Sequence, residues 1–423
     1  MSGRSSLALF SDREFLALAS TAFARSQAYS TILIALALYA NLFQTTGTIE
    51  GLFGTAYALA QFVIILPLGR AIDLGNSKRF LLVGLLINVG VFVGFSLVGT
   101  VEHVILVRVV QGIGASILWI TGSAVVGEIS PDDASGFWFG SYNQVAALSS
   151  LAGDIFGGLL LYVYGFQVTY AVLIAVTLVA TVMVFLFLRD DPGGRASPAA
   201  ATGLETFRQL IASRAIRALV TFRLSFSFGK MAVIIFLPIY AITEFGLNPF
   251  IVGGILAGGK VTKALLQGLV GGWTDAIGRR DLFILGGALT YAIGTAMIPL
   301  AEFAEGVIPA VTVFGFFLPG AAFVLFGAYG ILGVGDSLRL PASMSMFVEE
   351  GEPYDAVAGS TSLRSISWEV GQIIGPLTVG ALWDATSVIV AFLAAAGVIL
   401  VSALVFFWLY RADPNFLDGS SPA

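Results

Sequence analysis

Long apolar stretches separated by short polar turns run along almost the whole chain. An apolar run of about 18 residues or more predicts a transmembrane helix, because about 20 residues at 1.5 Å rise cross a hydrocarbon core of about 30 Å. The pattern predicts twelve such helices, at 14–41, 47–69, 79–99, 103–126, 135–163, 166–188, 215–242, 248–271, 281–301, 306–335, 356–383 and 386–410. The tenth has the least distinct end, since apolar character continues beyond Val334 toward Phe347.

The composition also indicates a membrane protein. Hydrophobic residues make up 57% of the 423 residues and charged residues only 11%, and a soluble domain this apolar could not cover itself with polar surface. We therefore expect a lipid bilayer around the chain. The absence of cysteine excludes disulfides and thiolate metal sites. A net charge of −5 argues against nucleic acid as a partner.

Basic residues occur on only one side of the predicted membrane. The loops on that side carry Arg4, Arg13, Arg70, Lys78, Arg79, Arg189, Arg195, Arg208, Arg214, Arg217, Arg279, Arg280 and Arg411, whereas the opposite loops carry neither Lys nor Arg. Because basic loops stay inside, this asymmetry predicts cytoplasmic termini in the plasma membrane. Residues 1–14 are polar and mixed in charge, so we expect no cleavable signal peptide.

Two similar charged loops indicate an internal repeat. Residues 69–79 read GRAIDLGNSKR and residues 271–280 read GGWTDAIGRR. In each loop a glycine ends an apolar run, an aspartate follows about one helical turn later and a basic pair comes last. This separation predicts two copies of one membrane unit.

Further matches support the repeat and place its boundary. Tyr39 and Tyr240 stand 201 residues apart, close to the separation of the two loops. The only long polar connection is 189–213, rich in Asp, Gly, Pro, Ala and Ser near its start. We therefore predict an N-terminal six-helix bundle at 1–188, a cytoplasmic linker at 189–213 and a C-terminal six-helix bundle at 214–423.

Three patterns together give the chain a resemblance to the major facilitator superfamily over essentially its whole length. The first is the charged loop. The second is RVVQGIGA at 108–115, similar to the family's R-x-x-Q-G-x-G-A, and the third is GDIFGG at 153–158, similar to the antiporter pattern G-P-x-x-G-G. The resemblance implies an all-α membrane protein with twelve transmembrane helices in two pseudo-symmetric six-helix bundles. Such bundles rock around a central site.

The resemblance implies a gating role for the charged loops at the inner side, with Asp73 against Arg364 of the eleventh helix and Asp275 against the start of the fifth. The residues expected to act in gating are Gly69, Asp73, Gly271, Asp275, Gly278, Arg279, Arg280 and Arg364. The first loop departs from the family pattern at Leu74 and Asn76. The alternative is that both loops serve only as topology determinants.

Asp154 is the sharpest candidate for ion coupling. It stands where the family's antiporters place proline, with glycines on both sides. Desolvation favours the neutral form of a buried carboxylate, which suits a proton carrier. Lys260 and Lys263 lie three residues apart, on one face of the eighth helix. The resemblance packs the fifth helix against the eighth, so we expect Asp154 to pair with one of these lysines; the alternative is a permanent structural ion pair.

Other charged residues within the predicted helices are further candidates. Charges inside a membrane normally face a cavity or a partner. The resemblance implies a part in proton coupling for Arg108. The alternative is that Arg108 lies near the membrane surface, so that its charged end reaches the interface. Glu369 is a further coupling candidate. In the resembled fold the first, fourth, seventh and tenth helices line the cavity. The candidate cavity residues are Arg25, Gln27, Tyr29, Lys230 and Asp336.

The cavity candidates suggest a polar or anionic substrate. Tyr29 and Lys230 correspond in the repeat, and cations such as Arg25 and Lys230 outnumber the acids. A cavity of low dielectric strengthens the attraction between opposite charges. For Arg223 and Arg339, the alternative to a place in the cavity is a place at the inner interface. The aromatic residues of the chain would equally suit a lipophilic substrate.

The sequence therefore predicts a secondary transporter of a small molecule, driven by an ion gradient, with the proton as the expected ion. The helix-five glycines favour an exporter of drugs or metabolites, and a proton symporter or exchanger of organic anions is the alternative. A channel or a non-transporting sensor is a remote alternative. No nucleotide-binding loop is present, and the lone His103 can build neither a metal site nor a catalytic triad. We expect no enzyme activity, no cofactor, no metal and a functional monomer.

Overall fold

The computed structural model describes residues 9–131, 134–190, 204–313, 315–354 and 356–411. The side chains of Asp73 and Asp275, two predicted gating residues, lie outside the described part of the chain. The long helices are α1 (Arg13–Phe43), α2 (Gly47–Leu74), α3 (Ser77–Ser96), α4 (Val101–Ile129), α5 (Ser135–Ala152), α6 (Gly158–Phe187), α8 (Arg214–Thr243), α9 (Pro249–Ile277), α10 (Arg280–Met297), α11 (Gly320–Glu349), α12 (Val357–Ala385) and α13 (Val388–Arg411). A short helix α7 (Leu204–Ala212) precedes α8.

The helices follow the order of the predicted transmembrane pattern. Among the described residues, ten stretches are long and apolar enough to cross a membrane. One of them, Gly136–Phe187, is 52 residues long and covers both the predicted fifth and sixth helices. Helix α12 is 29 residues long and is not among the ten, because polar residues such as Arg364 and Glu369 interrupt it. Twelve crossings are consistent with this arrangement.

The division between the fifth and sixth crossings lies at Gly165, inside α6. This residue has φ 69° and ψ −168°, whereas its neighbours are helical. That backbone region is essentially restricted to glycine, because a Cβ would clash with the main chain. A single glycine therefore separates two apolar helical segments that hydropathy alone reads as one.

We expect Gly165→Ala to lower the free energy of unfolding by about 1–3 kcal/mol, because alanine is strained in this conformation. Space around the residue is not limiting, since a Cβ at Gly165 would meet no atom within 4 Å beyond the adjacent backbone. Thermal unfolding in detergent measures the effect. The matched control is Gly90→Ala, which also has open space but lies inside α3, where alanine is favoured over glycine by about 0.8–1 kcal/mol. Equal effects of the two substitutions would contradict this account of the break.

The predicted tenth helix, 306–335, was wrong in its bounds. Two short strands, β1 (Val311–Val313) and β2 (Phe316–Leu318), pair in antiparallel register with Val311 opposite Leu318. Gly315, at φ 83°, lies in the turn between them. Helix α11 then begins at Gly320, directly after Pro319, and continues to Glu349. The apolar run is therefore a hairpin followed by a helix, because β-branched residues and glycine favour the hairpin.

Contacts between Cα atoms divide the chain into two compact units. The first unit comprises Met1–Gln44, Ala56–Pro198 and Asn248–Gly254, and the second comprises Thr45–Thr55, Ala199–Leu247 and Ile255–Ala423. Each unit thus takes in a short segment from the other half of the sequence. The bundle boundaries predicted at 188 and 214 divide the chain by sequence alone and stay a prediction.

The same close helix contact occurs in each unit. In the first, a Cβ added to Gly153 would lie 2.3 Å from the carbonyl oxygen of Gln27 on α1. In the second, a Cβ added to Gly375 on α12 would lie 2.3 Å from the carbonyl oxygen of Phe228 on α8. Gln27 and Phe228 are separated by the same 201 residues as the repeated tyrosines. Glycine permits both approaches because it has no side chain.

Candidate functional site

One buried carboxylate in the second unit is held by two cations. Asp336 and Arg339 lie one turn apart on α11, and Nη2 of Arg339 donates a hydrogen bond of 2.6 Å to Oδ1 of Asp336. Lys230 on α8 forms an ion pair with Oδ2 of the same carboxylate. The Asp336 side chain is 9% exposed and that of Arg339 only 1%. Lys230 and Asp336, both predicted cavity residues, are therefore direct partners.

Aromatic rings cover the two cations. The guanidinium of Arg339 lies 3.7 Å from the ring centre of Phe226, and Lys230 Nζ lies 5.5 Å from that of Tyr291. The two rings contact each other edge to face at 4.9 Å. A cation over an aromatic face gains stabilisation, most of all when water is excluded. The rings thus hold the cations in place without neutralising their charge.

A second group of polar side chains joins α8 to α12. The Arg223 guanidinium lies 4.2 Å from the ring centre of Trp368, whose backbone carbonyl accepts a 2.6 Å hydrogen bond from Ser227. Gln372 accepts a hydrogen bond from the Trp368 indole and donates one of 3.1 Å to Glu369. Glu369, a predicted coupling residue, therefore takes part in a side-chain network of the second unit.

Arg108 is anchored inside the first unit. Its side chain is only 1% exposed, its Nη1 donates a 2.6 Å hydrogen bond to Gln111, and its guanidinium lies 4.2 Å from the ring centre of Tyr57. In this structure the Arg108 side chain therefore points into the unit and not toward its surface. Tyr57 in turn packs against Tyr29, with 5.6 Å between ring centres, so Arg108 and one predicted cavity residue share a neighbour.

Asp154 lies in an interruption of the helix. Residues Gly153–Gly157 form a π-helical turn between α5 and α6, and such turns are frequent at functional sites. Thr31 on α1 donates a 3.1 Å hydrogen bond to the carbonyl oxygen of Gly153. A Cβ added to Gly253 would lie 2.0 Å from the backbone oxygen of Asp154. The Asp154 side chain is fully buried in this close packing.

The predicted pair between Asp154 and Lys260 or Lys263 stays a prediction. Asp154 belongs to the first unit and both lysines to the second. Lys263 is close enough to Asp336 and Lys230 in the second unit to interact with them electrostatically. It therefore adds positive charge to the surroundings of the carboxylate that sequence reasoning had placed in the cavity.

Two predicted cavity residues on α1 have defined surroundings in the first unit. The guanidinium of Arg25 lies 4.7 Å from the ring centre of Trp119 on α4. Gln27 is buried, with 6% of its surface exposed. The sequence did not single out Trp119, because an aromatic-rich chain gives no signal for which ring a cation will contact.

The second charged loop contains a residue that sequence reasoning missed. Asp281, which is 3% exposed, accepts 3.1 Å hydrogen bonds from Arg279 and one of 3.3 Å from Arg411 of α13. Arg280 pairs with Glu349 at the end of α11. Gly278 has φ 68°, a conformation that suits glycine. A signal was available, since Asp281 directly follows the basic pair.

Among the other predicted gating residues, two glycines lie in open space and Arg364 lines a cavity. A Cβ added to Gly69 or Gly271 would meet no atom within 4 Å. Arg364 lines a cavity of about 340 Å³ together with Met344, Ser345, Val348, Glu349, Glu352 and Thr361. Among the described residues, no group of three or more His, Asp or Glu side chains could hold a metal ion.

Comparisons with known proteins agree with this architecture. The sequence profile of the Major Facilitator Superfamily matches residues 18–261 and 223–423. An uncharacterised MFS-type transporter of Methanocaldococcus jannaschii is 22% identical over 353 residues, which are 82% of this chain and 86% of that protein.

Two solved structures have a similar fold. A bacterial homologue of the human lysosomal transporter Spinster, in an inward-facing and unoccupied conformation, superimposes with a TM-score of 0.80 at 16% identity over 100% of both chains. A POT family transporter in complex with a thioalcohol-conjugated peptide gives 0.77 at 14% identity, over 95% of this chain and 97% of that one. At these identities the likeness shows the fold alone.

Proposed function

Because the chain belongs to the major facilitator superfamily, and is therefore a multi-pass membrane transporter and not an enzyme, we propose that a proton gradient drives its transport of a small molecule. Alternating access of two like bundles is the mode of transport expected for this fold. The single observation that carries proton coupling is Asp154, a fully buried carboxylate in a π-helical turn. A carboxylate withdrawn from water is suited to alternate between its charged and neutral forms.

The proposed coupling residues are drawn from both units. Asp154 carries the proton, and Arg108 sets the electrostatic environment of the first unit through its contacts with Gln111 and Tyr57. The remaining members of this proposed group are Lys260, Lys263 and Glu369. Arg25, Gln27 and Tyr29 in the first unit and Lys230 and Asp336 in the second contact the substrate. The two charged loops act in gating at the cytoplasmic side.

Export of drugs or metabolites is the first candidate for the direction of transport. It is supported by the glycines of 153–158, which resemble the antiporter pattern. Uptake or exchange of organic anions is the second candidate, and the observation that favours it is the positive charge around Asp336. We place the protein in the cytoplasmic membrane as a monomer with both termini inside, in accordance with the basic loops.

The test uses purified protein in liposomes with an imposed pH gradient. Internal pH is followed while lipophilic cations, organic anions and sugars are added in turn, with empty liposomes as control. Proton efflux in response to a solute would establish antiport, and proton entry with a solute would establish symport. Solute flux without any proton movement would refute proton coupling.

A further inference from the structure

Around Asp336 and Glu369 in the second unit, cations outnumber carboxylates. Arg223 on α8 lies over Trp368, which is one turn from Arg364 on α12, and Arg339 on α11 lies over Phe226, which is one turn from Arg223. The three cations therefore repel one another, while Asp336 and Glu369 attract Arg223. Lys230 already shares Asp336 with Arg339. Within the described part of this unit, five cations (Arg223, Arg339, Arg364, Lys230 and Lys263) thus lie in the neighbourhood of two carboxylates, Asp336 and Glu369. Uncompensated charge is costly in a region that excludes water.

The arginines also have hydrogen-bond donors that the protein leaves unused. Among the described residues, no partner is found for Nε of Arg223, Nε and Nη1 of Arg339, or Nε of Arg364. The side chain of Arg223 is 7% exposed and that of Arg339 1%. A buried donor without an acceptor is destabilising, and more so when it is charged. Three helices therefore present unused guanidinium donors in one electrostatically connected cluster.

The surroundings of these arginines hold them in place and leave the donors available. Arg223 and Arg339 each lie over an aromatic face, Trp368 and Phe226, which fixes a guanidinium plane but accepts no conventional hydrogen bond from its edge. Arg364 is less buried and lines the cavity of about 340 Å³. Two carboxylates line the same cavity: Glu349 is paired with Arg280, and Glu352 is exposed.

We propose that Arg223, Arg339 and Arg364 form a binding site for a small soluble oxyanion, an organic carboxylate or phosphate, in the second unit. The planar fork of arginine matches both groups with two parallel hydrogen bonds. The anion supplies the missing acceptors and balances the excess charge. This inference deepens the proposed function by naming the chemistry of its substrate, and it holds for an exported metabolite as well as for an imported anion.

The test measures binding without any gradient, on full-length protein purified in a neutral detergent. Thermal unfolding is recorded at constant ionic strength with citrate, pyrophosphate, chloride or glucose. We expect citrate or pyrophosphate to raise the unfolding midpoint of the wild type in a saturable way, and chloride and glucose to leave it unchanged. No stabilisation beyond that given by chloride would overturn the proposal.

Variants separate binding from a structural role of the arginines. Because a hydrogen bond to a charged group contributes about 1.5–3 kcal/mol, Arg223→Gln is expected to raise the half-saturating concentration at least about 10-fold. The matched control is Arg217→Gln, an exposed cation on the same helix, which should leave it unchanged. Equal losses in both variants would overturn the proposal. If Arg223→Gln does not fold, Arg364→Gln tests the same loss at a less buried position.

One further arm identifies the source of the anion. The wild type is titrated with phosphatidylglycerol and, separately, with phosphatidylcholine. Stabilisation by phosphatidylglycerol alone, with no effect of citrate or pyrophosphate, would assign the site to a lipid headgroup and overturn the proposal of a soluble ligand. Since no proton gradient is present, binding that persists while solute-driven proton flux is absent would refute proton coupling and leave the oxyanion site intact.

Discussion

Asp154→Asn is expected to abolish solute-driven proton movement in liposomes while the protein stays folded. Asparagine has almost the same shape as aspartate, so the fully buried side chain keeps its packing. Its amide group, however, stays neutral and cannot take up and release a proton as a carboxyl group does. Solute exchange at equal pH on both sides should continue, because it does not require Asp154 to change its charge. The measurement compares proton flux and solute exchange for the same preparation.

A control and a contrasting outcome make this prediction specific. Glu102→Gln alters an exposed carboxylate at the start of α4 and should leave proton flux unchanged. If Asp154 serves only as a structural ion pair, Asp154→Asn should lower the unfolding midpoint and leave coupled flux at the wild-type level. Full coupled transport in that variant would remove Asp154 from the mechanism.

Asp336→Ala is expected to lower the free energy of unfolding by about 3–5 kcal/mol, because it leaves two buried cations without their shared carboxylate. Arg339 and Lys230 both bind this carboxylate in the structure. Unfolding in mixed micelles with increasing sodium dodecyl sulfate measures the loss. Adding Lys230→Met should recover part of it, since one of the two unbalanced charges is then removed.

The matched control for Asp336 is Glu349→Ala. Glu349 also forms an ion pair, with Arg280, but its side chain is 44% exposed, and exposed pairs typically contribute about 0–1 kcal/mol. A loss in Asp336→Ala no larger than in Glu349→Ala would contradict the inference that the buried Lys230 and Arg339 depend on the Asp336 carboxylate. Such a result would also weaken the case for an oxyanion site beside it.

Hydropathy predicted most of the fold because the bilayer imposes a simple length rule. The twelve apolar runs and the family resemblance led to the fold class that the comparisons confirm. The rule failed where apolar residues serve another element: the hairpin that contains Val311 and Leu318 is as apolar as a helix. It also cannot locate Gly165, since one residue with φ 69° hardly changes the mean hydropathy.

The candidate site was predictable as a set of residues but not as a set of contacts. Lys230 and Asp336 were both expected to face the cavity, yet their pairing depends on how α8 and α11 pack. The cover of Arg339 by Phe226 depends on the same packing. The π-helical turn at Asp154 gave only an indirect signal, its neighbouring glycines, because glycine is equally common at ordinary helix contacts in membranes.

The central claim is tested most directly by accumulation of a radiolabelled solute in proteoliposomes that carry only an imposed pH gradient. The solute is the one that produces the largest proton response in the panel. A proton-driven transporter concentrates it above the level on the other side, and nigericin, which dissipates the pH gradient, abolishes the accumulation. A solute that only equilibrates, at a rate independent of the pH gradient, would contradict proton-driven transport and indicate a channel or a uniporter.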